Sequence, residues 1–241
     1  MSIFNKQDFI NQLSIDCVIF GYEEQELKVL ASKVKIEIPI WTLPGGFIRQ
    51  EEGIDEAAQR ILEERTGLKD IYLEQFRTFG QPDRINHELF ENLNSLKEEW
   101  LQKEILDNND IQWLSKRFVS IGYYALVDSN KVNLRIGMLD ESVEWYSVKE
   151  LPKMIMDHNQ MVTYALESLR QNLDQKLIGF NLLPETFTMR EVQELYEAVY
   201  DKPFARNNFQ KKILDLNVLE RLDKKFTGAA NKAPYLYKFK K

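Results

Sequence analysis

The most constraining feature of this sequence is a set of residues at fixed spacing between positions 46 and 68, GFIRQEEGIDEAAQRILEERTGL. A glycine pair in a loop is followed by acids and then by a segment with helical periodicity, which ends at Gly67, a residue type favoured after a helix. The fixed positions are Gly46, Glu52, Arg60, Leu62, Glu64, Gly67 and Leu68. This arrangement predicts a loop and a helix in which residues 61, 64 and 65 share one face.

The spacing resembles the Nudix box, in which a glycine, a glutamate, an arginine and a Glu-Glu pair recur at these intervals. In enzymes that carry the box, the acids hold divalent cations, which assist hydrolysis of a diphosphate linked to another group. Two of those acids are replaced here, by Ile61 and Arg65. Isoleucine offers no oxygen ligand, and arginine repels a cation a few Å away. The resemblance therefore implies a retained scaffold with no catalytic residue, no metal site and no cofactor.

The composition indicates the cellular compartment of the protein and the kind of partner it binds. A single cysteine, Cys17, excludes an intrachain disulfide and fits a reducing cytoplasm. The polar start and the lack of a long uncharged apolar run predict neither a secretory signal nor a membrane-spanning helix. The net charge of -6 disfavours nucleic acid, but residues 202–241 contain 11 Lys or Arg against 3 Asp or Glu. An acidic body with a basic end is typical of a protein that binds a polyanion.

The apolar patterns predict an α+β fold. Strands are expected near residues 14–20, 27–34, 71–79, 118–127 and 143–146, and helices near residues 54–65 and 158–172. With the Nudix resemblance, these elements imply an α/β/α sandwich domain over residues 1–176. Within it, residues 85–116 are interpreted as a helical insertion. It is either a helical hairpin packed on the domain surface, or a lid over a ligand pocket or an arm that contacts a second subunit.

Residues 177–241 predict a second domain. Thr188 and Glu191 form a capping-box pattern at the start of a helix that extends to about Tyr200. A tight turn begins at Asp201, and a second helix runs from Arg206 to about residue 216. A two-stranded ribbon with a basic, glycine-containing tip follows. Two helices at a tight turn followed by such a ribbon are typical of a winged helix-turn-helix domain.

The second helix of this domain is the candidate DNA-reading element, because the first residues of that helix enter the major groove in helix-turn-helix proteins. Arginine can fork onto guanine and Asn or Gln can pair with adenine, whereas lysines more often hold phosphates. The candidate DNA-binding residues are Arg206, Asn207, Asn208, Gln210, Lys211 and Lys212 in the helix, and Lys224, Lys225 and Lys232 in the ribbon. The alternative is an ordinary soluble helix start.

Together the two halves resemble the NrtR family of Nudix-related transcriptional regulators, including its sugar-responsive AraR-like branch. The resemblance rests on FGYEEQELKVL, WTLPGGFI, FGQPDR, RFVSIGYYALV, GFNLLPETFTMREVQELYEAVY and NNFQKKIL followed by YLYKF. It implies a homodimer that binds a palindromic operator in double-stranded DNA, usually as a repressor. The insertion departs from the family pattern, and so does the wing, which has NKAP at residues 231–234 where Gly-Arg-Pro-Ala is common.

The resemblance leaves two small-molecule effectors open. ADP-ribose, the effector of the NAD-metabolism branch, needs cations or backbone N–H groups around its diphosphate. The candidates for these contacts are Gly45, Gly46, Arg60, Arg84 and Arg117. A pentose such as L-arabinose needs hydroxyl partners and a stacking ring. The candidates for those contacts are Trp41, Glu64, Asp83 and Tyr123.

The alternative function is a metal-dependent Nudix hydrolase of ADP-ribose-like nucleotides with a basic accessory domain. Glu52, Glu63 and Glu64 would then have to hold the metal. Asp157 and His158 precede the last helix of the domain, and a helix-cap or packing role is expected for them rather than chemistry.

Overall fold

The structure is a computed structural model that describes residues 5–35, 39–69, 71–84, 101, 106–137, 139–173, 182–225 and 233–240. The helices are α1 (Ile54–Thr66), α2 (Asn108–Leu114), α3 (His158–Leu173), α4 (Met189–Tyr200) and α5 (Arg206–Asp215). The strands are β1 (Phe9–Glu23), β2 (Glu26–Val34), β3 (Trp41–Thr42), β4 (Gly45–Arg49), β5 (Tyr72–Phe79), β6 (Val119–Val127), β7 (Asp140–Ser147), β8 (Phe187–Thr188), β9 (Leu219–Lys224) and β10 (Tyr235–Phe239).

Strands β1 to β7 form one mixed sheet, in which β1 is central. β1 pairs in parallel with β6 and antiparallel with β2 and β4. Successive side chains of a strand point to opposite faces, so both faces of β1 need cover. Ile15, Cys17 and Ile19 pack with the buried residues of α1, whereas Val18 and Phe20 pack with those of α3. The expected α/β/α sandwich is therefore confirmed.

Helix α1 lies within one residue of its predicted bounds, for reasons that are local. Gly53 precedes it, and the Glu56 carboxylate accepts the Gly53 N–H at 2.9 Å. Gly67 follows it with φ at +71°, a left-handed conformation that glycine adopts without strain. The helix buries Ala57, Ala58, Ile61, Leu62 and Thr66 against the sheet.

The C-terminal region forms the predicted winged helix. Helix α4 begins after Thr188, whose hydroxyl accepts the Glu191 N–H at 3.2 Å, so the capping box is present. Asp201 ends α4 in the left-handed region, with φ at +52°. The three-stranded sheet has the order β8-β10-β9.

The two domains share one apolar core. The cluster that covers the α3 face of the large sheet continues through Leu195, Tyr196 and Val199 of α4. Arg170 of α3 donates from Nε to the Val199 carbonyl at 2.7 Å, and the Tyr200 hydroxyl donates to the Arg170 carbonyl at 2.9 Å. Helix α4 therefore belongs to the packing of both domains. The boundary expected at residues 176 and 177 lies outside the described residues.

The end of the insertion packs on the N-terminal domain. Residues 85–100 and 102–105 lie outside the described residues, so the predicted hairpin is described there only from residue 106 onward, apart from Leu101. In α2 the Trp113 ring is buried, and its centroid lies 4.5 Å from that of Phe47 and 5.3 Å from that of Phe118. At its described end the insertion therefore packs on the domain, and the choice among the three interpretations stays a prediction. Across the described chain, no helix combines the length and the apolar character needed to cross a membrane.

Candidate functional site

Arg60 and Glu52 are bound to each other in the box segment. Arg60 donates from Nε to Glu52 Oε2 at 2.9 Å and from Nη2 to Oε1 at 2.5 Å, and Nη2 also donates to the Phe47 carbonyl at 2.9 Å. These bonds to Arg60 lower the pKa of Glu52, and the bond to Glu52 raises the pKa of Arg60. Glu64 accepts from Arg60 Nη1 at 3.2 Å. The hydrolase alternative needs Glu52 as a metal ligand, but the Glu52 carboxylate is bound by Arg60.

The two residues that replace box acids have structural contacts: Ile61 packs in the core, and Arg65 forms an ion pair. Ile61 is buried, and a methyl group added to Gly46 would lie 3.0 Å from Ile61 Cδ1. The Arg65 guanidinium donates to the carboxylate of Asp140 at the start of β7. Among the described residues, no group of three or more His, Cys, Asp or Glu side chains is placed to hold a metal ion. In the described box segment, positions 61 and 65 therefore offer a divalent cation no oxygen ligand.

A second polar cluster is buried on the opposite face of the sheet, beside the start of α3. Arg84 donates from Nε to Asp157 at 3.0 Å and from Nη2 to Asp16 at 3.2 Å. Its Nη1 donates to the Phe118 carbonyl at 3.0 Å, and its side chain is only 2% exposed. His158 Nε2 lies 3.8 Å from Asp16 Oδ1. Asp16 was not a candidate residue in the sequence, where it occupies one position of an otherwise apolar strand.

His158 is held in its neutral form by its surroundings. Its Nδ1 accepts the Leu43 backbone N–H at 3.0 Å, which requires that nitrogen to carry no proton. Burial is the main cause that lowers the pKa of His158 below its ordinary 6.5; the Arg84 charge also lowers it, and Asp16 and Asp157 oppose the change. The packing role expected for Asp157 and His158 is the one the structure gives them.

The lowered pKa of His158 predicts that the free energy of unfolding depends on pH. The unfolded chain takes up a proton at position 158 near pH 6.5, but the folded protein takes it up at a lower pH. The stabilisation is therefore complete above pH 6.5 and is lost as the pH falls from 6.5 towards the folded pKa. We expect His158→Asn to flatten the decline in the free energy of unfolding over this window, measured by urea titration. His87→Asn changes the other histidine and is the control; equal slopes for wild type and His158→Asn would contradict the assignment.

The predicted effector residues are divided between the two faces of the sheet. The face of the sheet that α1 covers is here called the box face. Arg60 and Glu64 belong to it, and the Tyr123 hydroxyl donates there to Asp55 of α1. Trp41 lies with the α3-side core, where its Nε1 donates to the Tyr146 hydroxyl at 2.9 Å. The expectation that Arg84 contacts a diphosphate needs correction, because its guanidinium is enclosed by two carboxylates and a carbonyl.

The remaining effector candidates lie near the ends of strands. Gly45 and Gly46 lie in β4 rather than in a loop, and a methyl group on Gly45 would lie 2.5 Å from Asp16 Oδ1. Glycine is required there because β4 approaches β1 closely. Asp83 is exposed, and so is Arg117, which donates from Nη2 to the Gly80 carbonyl at 2.6 Å. These two residues flank the insertion.

The predicted DNA-reading residues lie at the surface of α5. Phe209 and Ile213 anchor this helix in the core. Arg206, Asn207 and Asn208 are exposed at its start, as are Lys211 and Lys212 further along, whereas Gln210 is half-buried. In the wing, Lys225 pairs with Glu191 at 3.5 Å. Lys224 lies over the Tyr235 ring, and Lys232 lies outside the described residues.

Comparisons with known proteins agree with both halves of this fold. The model described as NUDIX domain matches residues 11–165, and the NrtR DNA-binding winged helix domain matches residues 179–239. The chain is 25% identical over 245 residues to the "ADPR responsive transcriptional repressor NtrR" of Acinetobacter baylyi, covering 98% of this chain and 85% of the relative.

Solved structures also show similarity to NrtR proteins over almost the whole chain. NrtR of Shewanella oneidensis is 27% identical with a TM-score of 0.69, covering 95% of this chain and 94% of that one. The same protein complexed with a 27mer DNA is 26% identical, with the same TM-score and coverage. Fold and comparisons define a Nudix domain joined to a DNA-binding winged helix. The chain belongs to the Nudix family, and within it to the NrtR family of transcriptional regulators.

Proposed function

We propose that this protein is a transcriptional repressor that binds a palindromic operator as a homodimer and releases it when a small effector binds the Nudix domain. The observation that carries the proposal is the start of α5, where Arg206, Asn207 and Asn208 are exposed on a helix that Phe209 and Ile213 fix in the core. A rigid helix that presents an arginine and two amides suits base reading in the major groove. The proposal includes a cytoplasmic location, where operator DNA lies.

ADP-ribose is the effector we propose, since the Acinetobacter baylyi relative is described as ADPR responsive. We propose that Arg60 and backbone groups of Gly45 and Gly46 bind its diphosphate on the box face. Arg60 would then exchange its contact with Glu64, which is half-exposed, for a ligand oxygen. Arg117 remains a candidate contact for the diphosphate. A pentose such as L-arabinose is the second candidate effector, and its candidate contacts are Trp41, Glu64, Asp83 and Tyr123.

We also propose that the Nudix domain does not hydrolyse its ligand. Three features support this: Glu52 is engaged by Arg60, Ile61 replaces an oxygen ligand, and Arg65 brings a positive charge. The rival hydrolase predicts Mg²⁺- or Mn²⁺-dependent cleavage of ADP-ribose that is abolished by Glu64→Gln. Such cleavage would overturn this part of the proposal.

The proposed mechanism is allosteric. The ligand binds with different affinity to two arrangements of the dimer, and these differ in the spacing of the two α5 helices. Half-sites of an operator lie about one helical turn apart, so a small change in spacing disengages one recognition helix. The ligand can shift the equilibrium only by its difference in affinity for the two arrangements.

The decisive experiment is selection of genomic DNA fragments by the purified full-length protein, with ADP-ribose, with pentoses and without ligand. Recovery of a short palindrome that is released by ADP-ribose is the expected result. Release by a pentose alone would transfer the assignment to the sugar. Binding that is weak, strongly salt-dependent and indifferent to sequence would contradict the operator proposal, because it is the behaviour of a charged surface.

Arg206→Ala tests the reading helix. We expect specific operator binding to weaken by about 1–3 kcal/mol and preference at one base pair to relax, because a forked arginine contact is lost. Lys211→Ala is the matched control in the same helix, and it should weaken operator and random DNA alike. Full specificity in Arg206→Ala would show that another element reads the bases.

A further inference from the structure

The wing contains a bulge that changes which of its side chains share a face. Tyr235 pairs with Lys224 and Tyr237 with Arg221, so three steps along β9 match two steps along β10. Residues three apart in a regular strand point to opposite faces, but one extra residue restores them to the same face. Arg221 and Lys224 therefore both lie on the side of Tyr235.

Arg221 and Lys224 converge on one aromatic ring. The guanidinium carbon of Arg221 lies 4.0 Å from the centre of the Tyr235 ring, and Lys224 Nζ lies 5.4 Å from it. Cations at such distances are attracted by the ring face. A guanidinium that lies flat on a ring keeps its in-plane N–H donors available. Arg221 itself is exposed.

The other cations in the described part of the ribbon are engaged with acids or amides. Lys225 pairs with Glu191 at 3.5 Å, Lys238 pairs with Glu220 at 3.3 Å, and Lys240 donates to the side chain of Asn217 at 2.7 Å. Within the described part of the wing, Arg221 and Lys224 form no ion pair with an acid. Within the described residues of the ribbon, their charge is therefore available to a polyanion.

Resting on the proposed DNA-binding function, we propose that Arg221, held in place by Tyr235 and flanked by Lys224, binds the phosphate backbone of double-stranded DNA. A guanidinium fork matches the geometry of a phosphate. The stack keeps the arginine extended before binding, which reduces the side-chain entropy lost on contact. Tyr235 is the positioning residue of this contact, and the bulge brings all three side chains together.

The test compares the full-length wild type with Arg221→Ala, on the selected operator and on a random-sequence duplex over a series of salt concentrations. We expect Arg221→Ala to weaken binding to both duplexes by the same factor, roughly five- to tenfold at physiological salt. The slope of log K against log salt should fall by about one. Arg221→Lys, which keeps the charge but loses the flat stack, should retain the slope and recover part of the affinity.

Lys238→Ala is the matched control, because it removes a cation of the same ribbon that is already paired. It should leave the salt slope unchanged, and thermal unfolding should show that every variant is folded. Unchanged affinity and slope in a folded Arg221→Ala would overturn the phosphate contact while leaving the regulator intact. Absence of DNA binding by the wild type would overturn the proposed function and this contact with it.

Discussion

Arg84→Ala is expected to destabilise the protein by about 3–5 kcal/mol, measured by urea unfolding at neutral pH. The guanidinium is the counter-charge of both Asp16 and Asp157, and its side chain is 2% exposed. Alanine removes the positive charge from beside two carboxylates whose side chains are only 11% and 20% exposed. The cost arises from these uncompensated charges rather than from the intrinsic strength of the ion pairs.

Two further variants separate this structural role from ligand binding. Arg117→Ala removes an exposed arginine near the same insertion and should leave stability within about 0.5 kcal/mol of the wild type. Asp16→Asn added to Arg84→Ala should recover part of the lost stability, because it removes one uncompensated charge. A stable Arg84→Ala protein with weakened effector binding would instead return Arg84 to the effector site.

Leu195→Ala is expected to lower the free energy of unfolding by about 2–5 kcal/mol, the usual cost of a cavity in a packed core. Leu195 is fully buried in α4, within the core that the two domains share. All four tryptophans, at positions 41, 100, 113 and 145, belong to the N-terminal domain. Tryptophan fluorescence therefore reports unfolding of the domain that does not contain the substitution.

We expect the fluorescence transition and the circular-dichroism transition of Leu195→Ala to move together to lower urea. Leu214→Ala is the matched control, because Leu214 lies on α5 and is 42% exposed. It should shift neither transition by much. A fluorescence transition that stays at the wild-type midpoint, while the helix signal is lost earlier, would show that the domains unfold separately.

The parts of the fold that could be predicted from sequence are those with local signals. Gly67 ends α1, because a left-handed residue is required there, and the Thr188 capping box begins α4. The start of α5 at Arg206 follows from the tight turn before it. The exposure of Arg206, Asn207 and Asn208 was predictable for the same reason, since helix-turn-helix geometry exposes the first turn of the second helix; their contact with bases stays a prediction.

The parts that could not be predicted depend on contacts between residues distant in sequence. Arg84 and Asp16 are separated by 68 positions, and no periodicity links them. In the sequence alone, Arg84 therefore cannot be distinguished from a ligand-binding arginine, because its enclosure is visible only in the fold. Arg221 was missed for a different reason. Alternation along a regular strand separates it from Lys224, and only the pairing register reveals the bulge that brings them together.

The replacement of the two box acids limits what a simple reversal of those two substitutions could achieve. A glutamate at position 61 would put a carboxylate where Ile61 packs on Gly46, and a glutamate at position 65 would face Asp140 as a second acid. Glu52 would still be held by Arg60. Glutamates at these two positions would therefore place one carboxylate in an apolar contact and another beside an acid, so we do not expect the two substitutions alone to create a metal-binding surface.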